Sequence, residues 1–252
     1  IASLVFIYIS TADVMNKTLA QEARTGAKRI EWVIQSYKNI AQGIGSIPEL
    51  SNPKVSTTVK RLILENKTSE YGLVHCKTIN LDGYSDMDAH YRGDRDYFRE
   101  AAKGKVTISD PIVSRSDNKV ALVIGAPVWK NGIYNGTIDS VLFCSIDPSL
   151  LSSILKDFSI SKNSNIYVIG NYGKTVASLD LTKVLVHYSN IKRAYTNKEV
   201  KPIADFERQT LEGKKNQKYI FKDGTLHCFT SCKIAGTPNW ALIIDSPVSD
   251  FL

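Results

Sequence analysis

Three charged residues in a row, Asp94-Arg95-Asp96, head the stretch DRDYFREAAKGKVTISDPIVS, residues 94–114. Two carboxylates around a guanidinium are material for acid–base chemistry, provided the surroundings keep one carboxyl protonated and the other ionised. With Tyr97 and Phe98 directly behind, the same residues also suit a ligand pocket. Arginine would grip a carboxylate through its planar fork, and the rings would form a wall. A third reading is structural, with Asp94 capping a helix that begins at Tyr97 and Phe98.

The rest of the chain does little for catalysis. Its histidines, His75, His90, His187 and His227, are scattered, with no Cys or Ser partner at nucleophile spacing. There is no Gly-rich phosphate loop and no H-E-x-x-H. Cys76, Cys144, Cys228 and Cys232 show no metal-binding spacing. Cys228 and Cys232 would share a strand face but sit too far apart to bond, and all four are read as reduced core or strand cysteines. No catalytic residue, metal ligand or cofactor is expected.

The 252 residues, 43% hydrophobic and 23% charged, describe a folded protein of one large or two ordinary domains. The net charge of +7 is spread singly along the chain, which argues against a nucleic-acid-binding face. The opening IASLVFIYIS is apolar but too short to cross a bilayer, which takes ~20 helical residues. It reads as the end of a membrane helix.

From Asp13 to Ile44, apolar residues at 23, 27, 30, 34, 37, 41 and 44 form a seven-residue repeat without proline. The pattern predicts a helix of ~50 Å, a spine for two modules or a dimer seam. A shorter helix is expected over 53–66. Strand-and-turn patterns follow at YGLVHCKTINLDGYS and KVALVIGAPVWKNGIYNGTIDSVLFCSID, and Asp147-Pro148 opens a helix through Leu155. The second half repeats the order: NIYVIGNYGKTVAS is strand, turn, strand. A helix around Ala204 to Leu211 and three strands in KYIFKDGTLHCFTSCKIAGTPNWALIIDSP complete it. The fold class is α+β: a long N-terminal helix followed by two antiparallel-sheet modules with flanking helices.

DGYSD, DRDYFREAAKGK, ISDPIVS, APVWKNGIYNG, CSIDPSLLSSIL and the closing GTPNWALIIDSPVSDFL occur in an order and spacing that resemble a double Cache (dCache) domain. Such domains are the extracytoplasmic sensors of bacterial chemoreceptors, sensor kinases and cyclases. The resemblance implies two PAS-like modules on one stalk helix, dimerisation through that helix, and flanking membrane helices. It divides the chain into the end of a transmembrane helix (1–12), a stalk (13–50), a membrane-distal, ligand-binding module (51–155) and a membrane-proximal module (156–252).

In the amino-acid-binding branch the resemblance places Arg95, Tyr97 and Phe98 on the pocket motif, with tyrosine in place of its tryptophan. Asp110 belongs to the following Asp-Pro. Ile112 and Ser114 stand where that branch carries Tyr and Asp, and Phe143 where an amine-binding Asp is expected, with Asp139 and Val141 on the same strand face. Tyr91 and Asp94 complete the candidate set, while His90, Trp129 and Trp240 are read as structural. The missing carboxylates put a free α-amino acid in doubt and leave a carboxylate-bearing solute. The expected function is solute sensing at the outer face of the cell membrane, most readily for chemotaxis. The alternatives are a sensor of a histidine kinase or diguanylate cyclase, or a module that docks a solute-binding protein or another protein.

Overall fold

Apolar residues spaced three and four apart make one continuous stripe on the first helix, and that stripe decides how the chain packs. The computed structural model describes residues 2–158 and 160–251, with side chains from Ala12 onward. Helix α1 spans Ala2–Gly45. Met15, Leu19, Ala23, Ala27, Ile30, Ile34, Ala41 and Ile44 along it are all buried. The membrane-helix end expected over residues 1–12 falls on Ile1, which lies outside the described residues, and on side chains that are not described. No helix among the described residues is long and apolar enough to cross a membrane.

Most positions of the repeat are buried within the chain, while Tyr37 is only partly buried. Trp32, 73% exposed, lies off the stripe.

Two compact units divide the chain: residues 32–148, and residues 1–31 together with 149–252. The first contains α2 (Pro48–Ser51), α3 (Thr57–Glu70), β1 (His75–Ile79), α4 (Asp96–Ala101), β2 (Thr107–Ile108), β3 (Ile112–Val113), β4 (Val120–Trp129) and β5 (Ile138–Ile146). Helix α3 starts later than the predicted 53–66, because the Ser56 hydroxyl accepts the Val59 N–H and sets the N-cap there. The strands form an antiparallel sheet in the order β1-β5-β4-β2, with β3 also on β4. Its core is Ile79, Tyr97, Phe98, Ala101, Val123, Val141 and Phe143. Gly125 lets α4 lie on β4, since a Cβ there would come within 2.5 Å of the Tyr97 carbonyl oxygen.

The other unit adds α5 (Ser149–Leu155), β6 (Asn165–Ile169), β7 (Thr175–Ser178), α6 (Thr182–Leu185), α7 (Asn190–Arg193), α8 (Lys201–Leu211), β8 (Gln217–Lys222), β9 (Thr225–Lys233) and β10 (Ala241–Pro247). Its antiparallel sheet runs β7-β6-β10-β9-β8. Phe206 of α8 packs on Phe229, with ring centroids 5.9 Å apart, at the centre of a core completed by strand residues such as Ile169, Ile220 and Ile243. Gly26 allows α1 to approach this unit closely, because a Cβ would meet Leu242 Cδ1 at 2.8 Å.

One expectation about cysteine is corrected. Cys76 and Cys144 are joined as a disulfide, while Cys228 and Cys232 are free. Cys76 on β1 stands directly opposite Cys144 on β5, with Cα atoms 4.4 Å apart. That cross-strand pairing brings the two thiols together, and spacing 68 residues apart in sequence gives no sign of it. Denatured but unreduced protein is expected to titrate two free thiols, rising to four after reduction. In a chain-entropy estimate, closing so long a loop contributes up to ~4 kcal/mol, so reductant should lower the melting temperature by several degrees. Four free thiols before reduction would refute the bond.

Candidate functional site

Helix α4 brings the opening motif to the sheet. Arg95 is its N-cap residue, Asp96 opens it, and Tyr97 and Phe98 turn into the core. Around the face of β5 and β4, the structure gathers Arg95, Tyr97, Ile112, Ser114 and Phe143 of the expected residues. It adds Arg92, Val113, Arg115, Val123 and Ser145, which the sequence had not marked. Arg95 is half-buried and donates to the Val113 carbonyl at 3.2 Å. Burial pushes the Tyr97 phenol up to about 12. Phe98 and Val141 belong to the hydrophobic core.

The other candidates lie outside this cluster. Asp94 is held by a two-pronged pair with Arg115, at 2.6 and 2.7 Å. The Arg115 hydrogen bonds are the main reason its carboxyl lies below the ordinary value. Asp94 does not cap α4; that position is held by Arg95. Tyr91 stacks at a tilt on Tyr84 and is largely exposed, Asp139 is exposed on β5, and Asp110 sits between β2 and β3.

The space left between the clustered residues is only about 10 Å³, room for one water and no more. Arg92 explains why. Its side chain is 2% exposed, and the guanidinium lies 4.6 Å from the centroid of Phe143. It donates to both oxygens of Asp88, at 2.8 and 2.7 Å, and to the Ser116 hydroxyl at 2.9 Å. Lys77 adds a third cationic hydrogen bond to Asp88 at 2.7 Å. Burial by itself would raise the Asp88 carboxyl. The hydrogen bonds of Arg92, Lys77 and the His90 N–H, with the charge of Arg92, outweigh it and hold Asp88 far below the carboxylate range. The carboxylate-gripping chemistry expected of Arg95 is thus present one residue before Gly93, and it is turned on the protein's own carboxylate.

A larger space lies in the other unit, at residues that sequence reasoning left unassigned. Between the face of its sheet and α6–α8 is a cavity of about 230 Å³, with Tyr167 of β6, Phe229 of β9 and Ile203 of α8 on its walls. Glu207 of α8 reaches into it with its side chain fully buried. Oε1 accepts from the Tyr167 hydroxyl at 3.0 Å and from Asn190 Nδ2 at 2.7 Å, whereas Oε2 has no partner among the described residues. Desolvation raises the Glu207 carboxyl to about 7, against the opposing pull of Asn190 and Tyr167. Lys183 and Arg193 lie along the same cavity, over the Tyr188 ring at 5.4 and 5.3 Å. No carboxylate lies within ion-pair distance of either among the described residues. Lys222 is paired instead with the buried Asp245, which also bonds His227 at 2.6 Å. A signal for this site did exist: in KPIADFERQTL, Glu207 shares the apolar face of Ile203 and Thr210.

No family model matches the chain, and no curated protein matches it in sequence. Its fold, however, is shared with solved structures. The ligand-binding domain of the Pseudomonas fluorescens chemoreceptor CtaA, solved with L-isoleucine, superposes with a TM-score of 0.71 over 96% of both chains at 12% identity. That of the Campylobacter jejuni chemoreceptor Tlp3, solved with L-valine, gives 0.69 over 98% of both at 13% identity. The extracellular domain of the histidine kinase rpHK1S-Z16 gives 0.69 over 95% of this chain and 96% of that one, at 14% identity. The chain has the fold of these receptor sensing domains.

Breaking the buried pair by Arg92→Ala is expected to cost ~3–5 kcal/mol, and Arg95→Ala ~1 kcal/mol or less, in urea unfolding. Because the folded Asp88 carboxyl lies below its unfolded value near 4, its contribution is present above that pH and fades as pH falls below it. The stability gap between wild type and Asp88→Asn should therefore be full at pH 6 and shrink towards pH 2. An equal gap at both pH values would remove the ion pair from the account.

Proposed function

We propose that this chain is the solute-sensing ectodomain of a bacterial transmembrane receptor, of the chemotaxis type, which binds a small molecule without transforming it. The fold shared with chemoreceptor ligand-binding domains supports this reading. The observation that carries it is the 230 Å³ cavity in the unit of residues 1–31 and 149–252. The sequence had assigned binding to residues 51–155, where the space among Arg92, Arg95, Tyr97 and Phe143 is about 10 Å³. The shared fold of a histidine kinase ectodomain favours a second reading, in which the same binding event drives a kinase.

Placement outside the cytoplasmic membrane, anchoring by helices that flank the domain, and pairing with a second copy belong to this proposal. So does the absence of catalysis. Sensing requires only that the solute prefer one of two arrangements of the module, since a ligand shifts an equilibrium by its difference in affinity.

A melting-temperature screen of the unaltered chain against amino acids, carboxylates, amines and nucleobases tests this reading. At least one compound should raise the melting temperature saturably, by an amount equivalent to ~2.7 kcal/mol at a hundred times its dissociation constant. That compound should be recovered unchanged after long incubation. Failure of every small solute, with capture of a purified solute-binding protein instead, would replace small-molecule sensing by protein docking. Turnover of the hit would make the domain an enzyme.

A further inference from the structure

We propose that the tip of the β8–β9 hairpin lies in the interface of a lipid bilayer, with Phe221 and Leu226 among the headgroups and upper acyl chains. The inference rests on the reading of the chain as an ectodomain anchored in a membrane, and it gives that reading a second contact. Phe221 is 72% exposed, and Leu226 stands directly opposite it across the hairpin, also exposed. Asp223 and Gly224, both at positive φ, reverse the chain in two residues, which sets the two side chains together at the end of the hairpin.

The course of α1 shows where this pair stands. Side chains two apart on a strand share a face, so Phe221 and Leu226 point the same way as Tyr219 and Cys228. The Tyr219 hydroxyl donates to Asn16 Oδ1 of α1 at 2.7 Å, and the Cys228 thiol lies 3.7 Å from the same atom. Towards the far end of β9, Cys232 stands opposite Leu242, the side chain that a Cβ on Gly26 would meet. Helix α1 therefore runs along this face from Gly26 near Cys232 to Asn16 at Cys228, in the direction of the hairpin tip. Phe221 and Leu226 lie about 7 Å further along the strands, which is about four to five residues back along the helix. They stand beside the turn where the apolar opening IASLVFIYIS gives way to the buried stripe. The segment leaving β10 emerges at the same end of the sheet, because Pro247 is opposite His227.

A lipid surface is the occupant that fits this place. Phe221, Leu226 and the half-covered Tyr219 offer far less than the ~1,200 Å² that a specific protein–protein interface takes, whereas a bilayer asks for no matching patch. Pairing of the β8 edge with a second copy is opposed by Lys218 and Lys222 on that strand. Asp13 and Lys17, in the turns of α1 just after its apolar opening, neutralise each other. The contact accordingly rests on apolar burial and needs no anionic lipid. Asp223 at the turn keeps the insertion shallow, since carrying its carboxylate into hydrocarbon would cost its hydration.

Flotation of the whole chain with phosphatidylcholine vesicles, with the emission of Phe221→Trp read against wild type, tests the inference. The chain should float. The added indole should shift to the blue with vesicles and be quenched by lipids brominated high on their acyl chains, beyond any change in wild type. Phe221→Glu combined with Leu226→Glu should lower the partition constant at least roughly fivefold, and the free variant should melt near wild type because both side chains are exposed. Tyr195→Glu, at an exposed residue beyond α7, should leave partitioning unchanged. Should the double variant misfold, quenching of the added indole still decides. An indole quenched no more than the wild-type tryptophans, in a chain that floats, would overturn the hairpin contact and leave the anchoring in place. An equal loss of partitioning on Tyr195→Glu would do the same. An indole already blue-shifted without lipid, in a chain that sediments as a dimer, would make the tip an interface between copies instead. A chain that does not float at all would remove the anchored reading and the hairpin contact with it, while the solute screen keeps its own outcome.

Discussion

A carboxylate removed from water must be met by donors or give up its charge, and the two units of this chain respond to that constraint in opposite ways. In the unit of residues 32–148, Asp88 receives donors from Arg92, Lys77, Ser116 and the His90 backbone. It stays ionised, and Arg92 lies over the Phe143 ring of β5. In the other unit Glu207 receives two donors on one oxygen and none on the second, so its proton affinity rises. The first arrangement is closed in itself. The second has capacity left over, and a cavity lies beside it.

Both sheets reach these arrangements through the same hydrophobic economy. Helix α1 gives its apolar stripe to the protomer, and small residues at critical crossings let backbones close up: Gly26 against Leu242, and Gly125 against the Tyr97 carbonyl. A helix on the sheet then brings a mixed side-chain set over the strands. In α4 the inward residues are Tyr97 and Phe98, which pack; in α8 they include Phe206, which packs, and Glu207, which does not. One carboxyl at an inward position of an amphipathic helix thus sits where α4 places an aromatic ring.

That difference also marks how far the sequence could be read. Periodicity located the long helix, the paired strands around Lys130-Asn131-Gly132 and those around Asp223-Gly224, because burial on one face imposes a period that survives in the residues. The resemblance carried by short motifs pointed to a fold that the superpositions support over nearly the whole chain. What escaped was everything set by contacts between distant segments. The bond between Cys76 and Cys144 depends on β1 and β5 pairing in register, and the Asp88–Arg92 pair depends on Lys77 and Ser116 arriving from other strands and turns. Arg95 stands in a run of three charges, but Arg92, three residues earlier, is the one that is buried.

The internal ion pair bears on where a solute can act. A ligand carboxylate that took Arg92 would have to displace Asp88, exchanging one charge-assisted set for another of the same kind. Beside the cavity of the other unit, Glu207 keeps one oxygen without a partner among the described residues. Differential affinity is what a sensor converts into a signal, and it is largest where binding satisfies an atom that the protein alone leaves bare.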